Sequence, residues 1–97
     1  MNNRIPVHPG ELLAETLELR EVSAYRVSQA TGISQTALSQ ILRGKRGITA
    51  TTALLLGQFF GTSPEFWLNL QAAYDLDAAR VELGEKINVI EVLALPA

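Results

Sequence analysis

From Ser23 onward the chain is interrupted by a capping residue or a glycine every few positions, and that punctuation decides what it can fold into. "SAYRVSQATG" opens on Ser23 and closes on Gly32, "SQTALSQILRG" opens on Ser34 and closes on Gly44, and "TATTALLLGQFFG" opens on Thr49 and closes on Gly61. Serine and threonine side chains accept from the free N–H groups of a first helical turn, and glycine ends a helix by taking the left-handed conformation. Ser63-Pro64-Glu65 then combines a cap, a proline in the first turn and an acid beside it. Upstream, "HPGELLAETLELR" sets Pro9 near a first turn and Glu11 and Glu15 toward the helix start, with Leu12, Leu13, Leu17 and Leu19 as its apolar positions. The predicted helices are therefore one after Pro9, then 24–31, 35–43, 50–60 and 64 to about 81. Gaps so short force the helices to pack as close neighbours.

This pattern predicts an all-α fold of five helices over residues 1–83, followed by a tail over 84–97. In the tail, "KINVIEVLAL" is rich in Ile and Val, and Ile87 and Val89 alternate with Asn88 and Ile90. Three conformations stay open for it: a lone strand, a short helix or a partner-dependent arm. A single strand has no sheet to join in a helical domain, so such an arm either stays mobile or pairs with another chain.

Ninety-seven residues suit one domain with one modest core, and an apolar fraction of 47% is too high for a disordered chain. Absence of cysteine excludes disulfides and thiolate metal sites and agrees with a reducing cytoplasm. The opening "MNNRIPVHPGE" lacks the apolar core of a signal peptide, and no apolar run reaches the roughly 18 residues of a membrane span. The expectation is a soluble intracellular domain with no membrane association.

A formal net charge of -2 argues weakly against nucleic acid, but the distribution of that charge argues the other way. Between Arg20 and Arg46 the chain has five basic residues (Arg20, Arg26, Arg43, Lys45 and Arg46) against the single acid Glu21, a net +4. From Ser63 onward, six acids oppose Arg80 and Lys86, a net -4. Charges are screened over about 8 Å at physiological salt, so a basic face can act beside an acidic one. The plainer reading is chance clustering of charge on a solvated surface.

The second and third helices have the plan of a helix-turn-helix: a short helix, a turn of about three residues holding a glycine, and a second short helix. Val27, Ile33, Leu38, Ile41 and Leu42 are spaced to wedge the two together, and Ser28 is small where they approach. With those positions committed to packing, the third helix turns Gln35, Thr36, Ser39 and Gln40 outward. Glutamine can bond adenine through two hydrogen bonds, and serine or threonine reaches either kind of base pair, so these four are the candidate base readers. Arg43, Lys45 and Arg46 follow at once, placed for phosphates. Any amphipathic helix has a polar side. The distinguishing point is that cap, glycine turn, apolar wedge, uncharged polar face and basic close all fall in register.

"YRVSQATGISQTALSQILRGK" resembles the helix-turn-helix of the Cro and phage-repressor superfamily. With "HPGELLAETL" before it and "RGKRGITATTALLLGQFFGTSPEFWLNLQAAYDL" after it, the chain from about 6 to 80 is similar to HigA-type antitoxins, also described as the virulence-associated protein I group. The "GTSPEFWLNLQ" portion is the most distinctive part. That resemblance implies a five-helix homodimer that binds operator DNA. It also implies a neighbouring HigB-type toxin, an mRNA-cleaving ribonuclease that the antitoxin neutralises while repressing their shared promoter, in the bacterial cytoplasm at the nucleoid. It places Ser34, Gln35, Thr36, Ser39 and Gln40 at operator-contacting positions, Ser34 toward phosphate. Tyr25 and Arg26 fall at the start of the preceding helix, where phosphate contacts are usual. Ser28 stands where the superfamily commonly has alanine, and is small enough to keep the wedge.

Elsewhere the plain readings prevail. Trp67, Leu70 and Tyr74 form one helical stripe, a pattern more often core than ligand box. Phe59, Phe60 and Leu70 are expected in the core, while Trp67 and Tyr74 are candidates for its edge or for a dimer contact. His8 has no metal-ligand spacing to any acid and reads as a helix-entry residue. Glu11, Glu15 and Glu18 suit a solvated face, and no glycine-rich phosphate loop occurs. No metal, cofactor or catalytic constellation is expected. Two other functions remain open: a transcriptional regulator of the same fold with no toxin partner, and a protein-binding module that has lost DNA affinity.

Overall fold

Four caps fix the helix starts. In a computed structural model that describes residues 6–95, Oγ of Ser23 accepts from the N–H of Arg26 at 3.1 Å and Oγ of Ser34 from Ala37 at 3.0 Å. Oγ1 of Thr49 accepts from Thr52 at 3.3 Å, and Oγ of Ser63 from Phe66 at 3.2 Å. They open α2 (Ala24–Thr31), α3 (Gln35–Leu42), α4 (Ala50–Phe60) and α5 (Pro64–Leu83). The first helix, α1 (Pro9–Leu19), is capped differently: Nδ1 of His8 accepts from the N–H of Gly10 at 2.9 Å. The helix-entry reading of His8 thus has a definite chemistry, a ring nitrogen accepting as a serine oxygen does elsewhere.

The five helices enclose one core. Leu13 of α1, Val27 of α2, Leu38 and Ile41 of α3, Leu56 of α4 and Trp67 of α5 are its largest fully buried side chains. Ile33, Ile48, Ala53 and Phe60 complete it. Helix α4 packs chiefly on α5, α1 on α3 and α5, and α2 on α3 and α4. Gly10 lies where α1 meets α3. A Cβ there would fall 1.9 Å from the carbonyl oxygen of Ile41, so only glycine lets α1 meet α3 at that depth.

Several details depart from the expectations. Trp67 is 1% exposed, a full core residue whose indole N–H donates to Oγ1 of Thr62 at 2.9 Å. It is therefore closed to any dimer contact. Phe59 and Leu70, expected in the core, are only half-buried at its rim. Tyr74 is also half-buried and meets the His8 ring edge-on at 4.9 Å. Helix α5 extends to Leu83, two residues past the expected end, and α3 stops at Leu42 with Arg43 as its C-cap.

Beyond α5 the chain forms a 3₁₀ helix, Gly84–Val89, and Ile90 is extended at φ -75° and ψ 122°. The short-helix alternative thus holds for the first part of the tail; no strand occurs among the described residues. Val92 is 89% exposed and Leu93 and Leu95 are each 90% exposed, so the segment adds nothing to the core. The outer limits of the expected division, residues 1–5 and 96–97, lie outside the described residues.

Candidate nucleic-acid interface

The turn between α2 and α3 is held by local hydrogen bonds that its sequence dictates. Gly32 takes φ 82°, a left-handed value that β-carbons disfavour, and its N–H donates to the Ser28 carbonyl at 2.9 Å. The Thr31 hydroxyl donates to the Val27 carbonyl at 2.6 Å and accepts from the Ile33 N–H at 3.2 Å. With Val27, Ile33, Leu38 and Ile41 buried and Leu42 half-buried, the wedge fixes the rotation of α3 about its axis. That rotation settles which residues face out.

Gln35, Thr36 and Ser39 are exposed, Gln40 is half-buried, and these four with Arg43 line one shallow polar hollow. The Gln35 amide forms no hydrogen bond within the described residues, so its oxygen and both its N–H groups face solvent. Gln40 differs: its Oε1 accepts from Nε of Arg46 at 2.8 Å. Ser34 is exposed at the N-cap, where its oxygen accepts from Ala37 while its hydroxyl proton remains a donor. That uncommitted proton is the part of Ser34 able to meet an anion.

The basic cluster follows from how α3 ends. Arg43 caps the helix, the N–H of Gly44 donates to the Ile41 carbonyl at 3.0 Å, and the N–H of Lys45 donates to the Gln40 carbonyl at 2.7 Å. This paired closure, the Schellman motif, turns the chain sharply and leaves Arg43, Lys45 and Arg46 exposed beside the polar face. Tyr25 and Arg26 are exposed in the first turn of α2 and do not line the hollow. Arg20, counted in the basic segment, lies over the Phe60 ring with its guanidinium carbon 5.8 Å from the centroid, so it serves the helical body.

One residue of this region was not legible as a participant. Gln71 on α5 binds the loop between α3 and α4, its Oε1 accepting from the Ile48 N–H at 2.7 Å. The 23-residue separation leaves no local pattern to read. Among the described residues no group of histidines, cysteines and acids is arranged to hold a metal.

The arrangement is that of a DNA reader: an uncharged donor–acceptor face at the start of an exposed helix, with cations at its end. Comparison with known proteins agrees. Residues 13–67 match the helix-turn-helix family. Virulence-associated protein I of Dichelobacter nodosus is 41% identical over 97 residues, covering 98% of this chain and 89% of that protein. The solved structure of an addiction module antidote protein of the HigA family from Coxiella burnetii is 47% identical, with a TM-score of 0.87 over 94% of this chain and 100% of that one. Antitoxin HigA of Pseudomonas aeruginosa, solved with the higBA promoter, is 39% identical, with a TM-score of 0.86 over 93% and 100% of the two chains. This chain belongs to the helix-turn-helix family and, within it, to the HigA-type antitoxins of the virulence-associated protein I group.

Proposed function

We propose that the chain is the antitoxin of a type II toxin–antitoxin module. It binds double-stranded operator DNA at its own promoter as a homodimer and neutralises a HigB-type mRNA-cleaving toxin, working in the cytoplasm at the nucleoid. The observation that carries this reading is the exposed, hydrogen-bonding face of α3 beside three exposed cations. Gln35, Thr36, Ser39 and Gln40 read base edges. Tyr25, Arg26, Ser34, Arg43, Lys45 and Arg46 contact phosphates and set the register on the duplex. Two copies with recognition helices about 34 Å apart match successive major grooves. Tyr74, half-buried on α5, is the remaining candidate for the contact between copies. The acidic half after Ser63, at net -4, complements a basic ribonuclease.

The test is co-expression with the product of the neighbouring gene, followed by size measurement with and without promoter DNA. A stable complex and relief of growth arrest support the antitoxin role. Promoter binding without any effect on a neighbouring product points instead to a stand-alone regulator. Negligible binding at low salt removes both and leaves a protein-binding module.

A further inference from the structure

The loop that carries Lys45 and Arg46 is tied down at both ends, and the two ties differ in kind. At the α3 end the tie is local, through the backbone bonds of Gly44 and Lys45. At the other end it is remote. Ile48, 4% exposed and packed in the core, gives its N–H to Oε1 of Gln71 on α5 at 2.7 Å. The same amide donates through Nε2 to Oδ1 of Asp75 at 2.9 Å. A backbone N–H only donates and a carboxylate only accepts, so the amide has one orientation that satisfies both partners. Asp75 therefore reinforces the orientation in which Oε1 of Gln71 faces the loop. Gly47 completes the fit, since a Cβ there would come within 3.1–3.2 Å of the amide atoms.

We infer that Gln71 is a positioning residue for the phosphate grip. Its amide is committed to Ile48 and Asp75, and it holds Gly47 and Ile48 so that Lys45 and Arg46 are already ordered when a duplex arrives. Without the tie, the cost of ordering those side chains falls on binding. The loss is then common to all sequences, because the base-reading face of α3 is fixed independently by buried Leu38 and Ile41. The inference rests on the DNA-binding reading and names a residue outside the helix-turn-helix that the grip depends on.

The experiment compares the full chain with Gln71→Leu, Asp75→Ala and Asp75→Asn. Each is titrated with its promoter duplex and an unrelated duplex of equal length over a range of salt, alongside amide hydrogen exchange at Ile48. Gln71→Leu is expected to weaken both duplexes by about 3- to 10-fold, the scale of one net hydrogen bond. The ratio between the duplexes should hold, and so should the salt slope, because the same phosphates are neutralised once the loop is ordered, while exchange at Ile48 should quicken. Asp75→Asn keeps an acceptor for Nε2 and Asp75→Ala does not, though both remove the same charge. The asparagine variant should therefore bind more tightly and protect Ile48 better. Unchanged affinity in Gln71→Leu overturns the inference, as does a loss confined to the promoter duplex. A loss that disappears well below the melting temperature also overturns it, since it reflects unfolding alone. If the unaltered chain binds neither duplex, the DNA-binding reading fails and the grip with it, whereas Ile48 exchange still reports whether the tie exists.

Discussion

Arg46 donates from Nε to Oε1 of Gln40 at 2.8 Å, which joins a residue of the proposed reading face to a residue of the proposed phosphate grip. A glutamine needs both its oxygen and its nitrogen to bond an adenine in bidentate fashion. With that bond in place Gln40 has only its nitrogen left to offer a base, while it holds Arg46. Gln35, whose amide has no hydrogen bond among the described residues, is the better candidate for bidentate reading under the proposed function.

The two glutamines should therefore fail differently. Gln35→Ala is expected to relax base preference at one position by roughly 1–3 kcal/mol and to leave the salt dependence unchanged. Gln40→Ala should also release Arg46, lowering affinity for unrelated DNA. A base-substitution series run at several salt concentrations separates the two, and identical profiles would count against the division of labour.

Neutralising Lys45 and Arg46 together should weaken all duplexes alike. For every phosphate that is no longer neutralised, the log–log salt dependence flattens by about 0.9. The measurement is affinity for promoter and unrelated DNA between low and physiological salt. Weakening seen only with the promoter would remove both residues from the phosphate grip.

Trp67 should behave as a core residue. Trp67→Ala is expected to cost about 3–5 kcal/mol of folding stability, read from denaturant midpoints. Trp67→Phe keeps most of the volume but strands the Thr62 hydroxyl, for a smaller cost of about 1–2 kcal/mol. Neither change should act through the proposed dimer. If folded Trp67→Phe shifts the monomer–dimer equilibrium, the side chain reaches the interface after all.

Glu21 supplies a test of backbone strain. It holds φ 53° at the end of α1, where the N–H of Val22 reaches the Leu17 carbonyl at 2.9 Å in the closure that glycine usually provides. Glu21→Gly should relieve the left-handed penalty and stabilise the fold by about 0.5–1 kcal/mol, after the entropy that glycine adds to the unfolded chain. A lower denaturant midpoint would show that the Glu21 side chain makes a compensating contribution.

Helix boundaries were legible because capping is local chemistry. Ser23, Ser34, Thr49 and Ser63 each accept from an N–H three residues on, a relation written within four consecutive letters. The outward face of α3 was legible for a related reason: burying Val27, Ile33, Leu38 and Ile41 leaves one rotation of the helix. The depth of Trp67 was not legible, because an aromatic stripe shows which side of α5 is apolar but not how far each ring sits inside. That depth depends on α4 and on the Thr62 hydroxyl reached across a turn.

The sequence by itself determined five helices, their order and the polar character of the third, since caps, glycines and apolar spacing act over one or two turns. Only the tertiary structure decided how that third helix and its loop are supported. The approach of Gly10 to the Ile41 carbonyl, the bond between Arg46 and Gln40, and the tie from Gln71 to Ile48 join parts of the chain that no short pattern relates. The physical reason is reach: a cap is satisfied inside its own turn, whereas each of these partners is chosen by how whole helices pack.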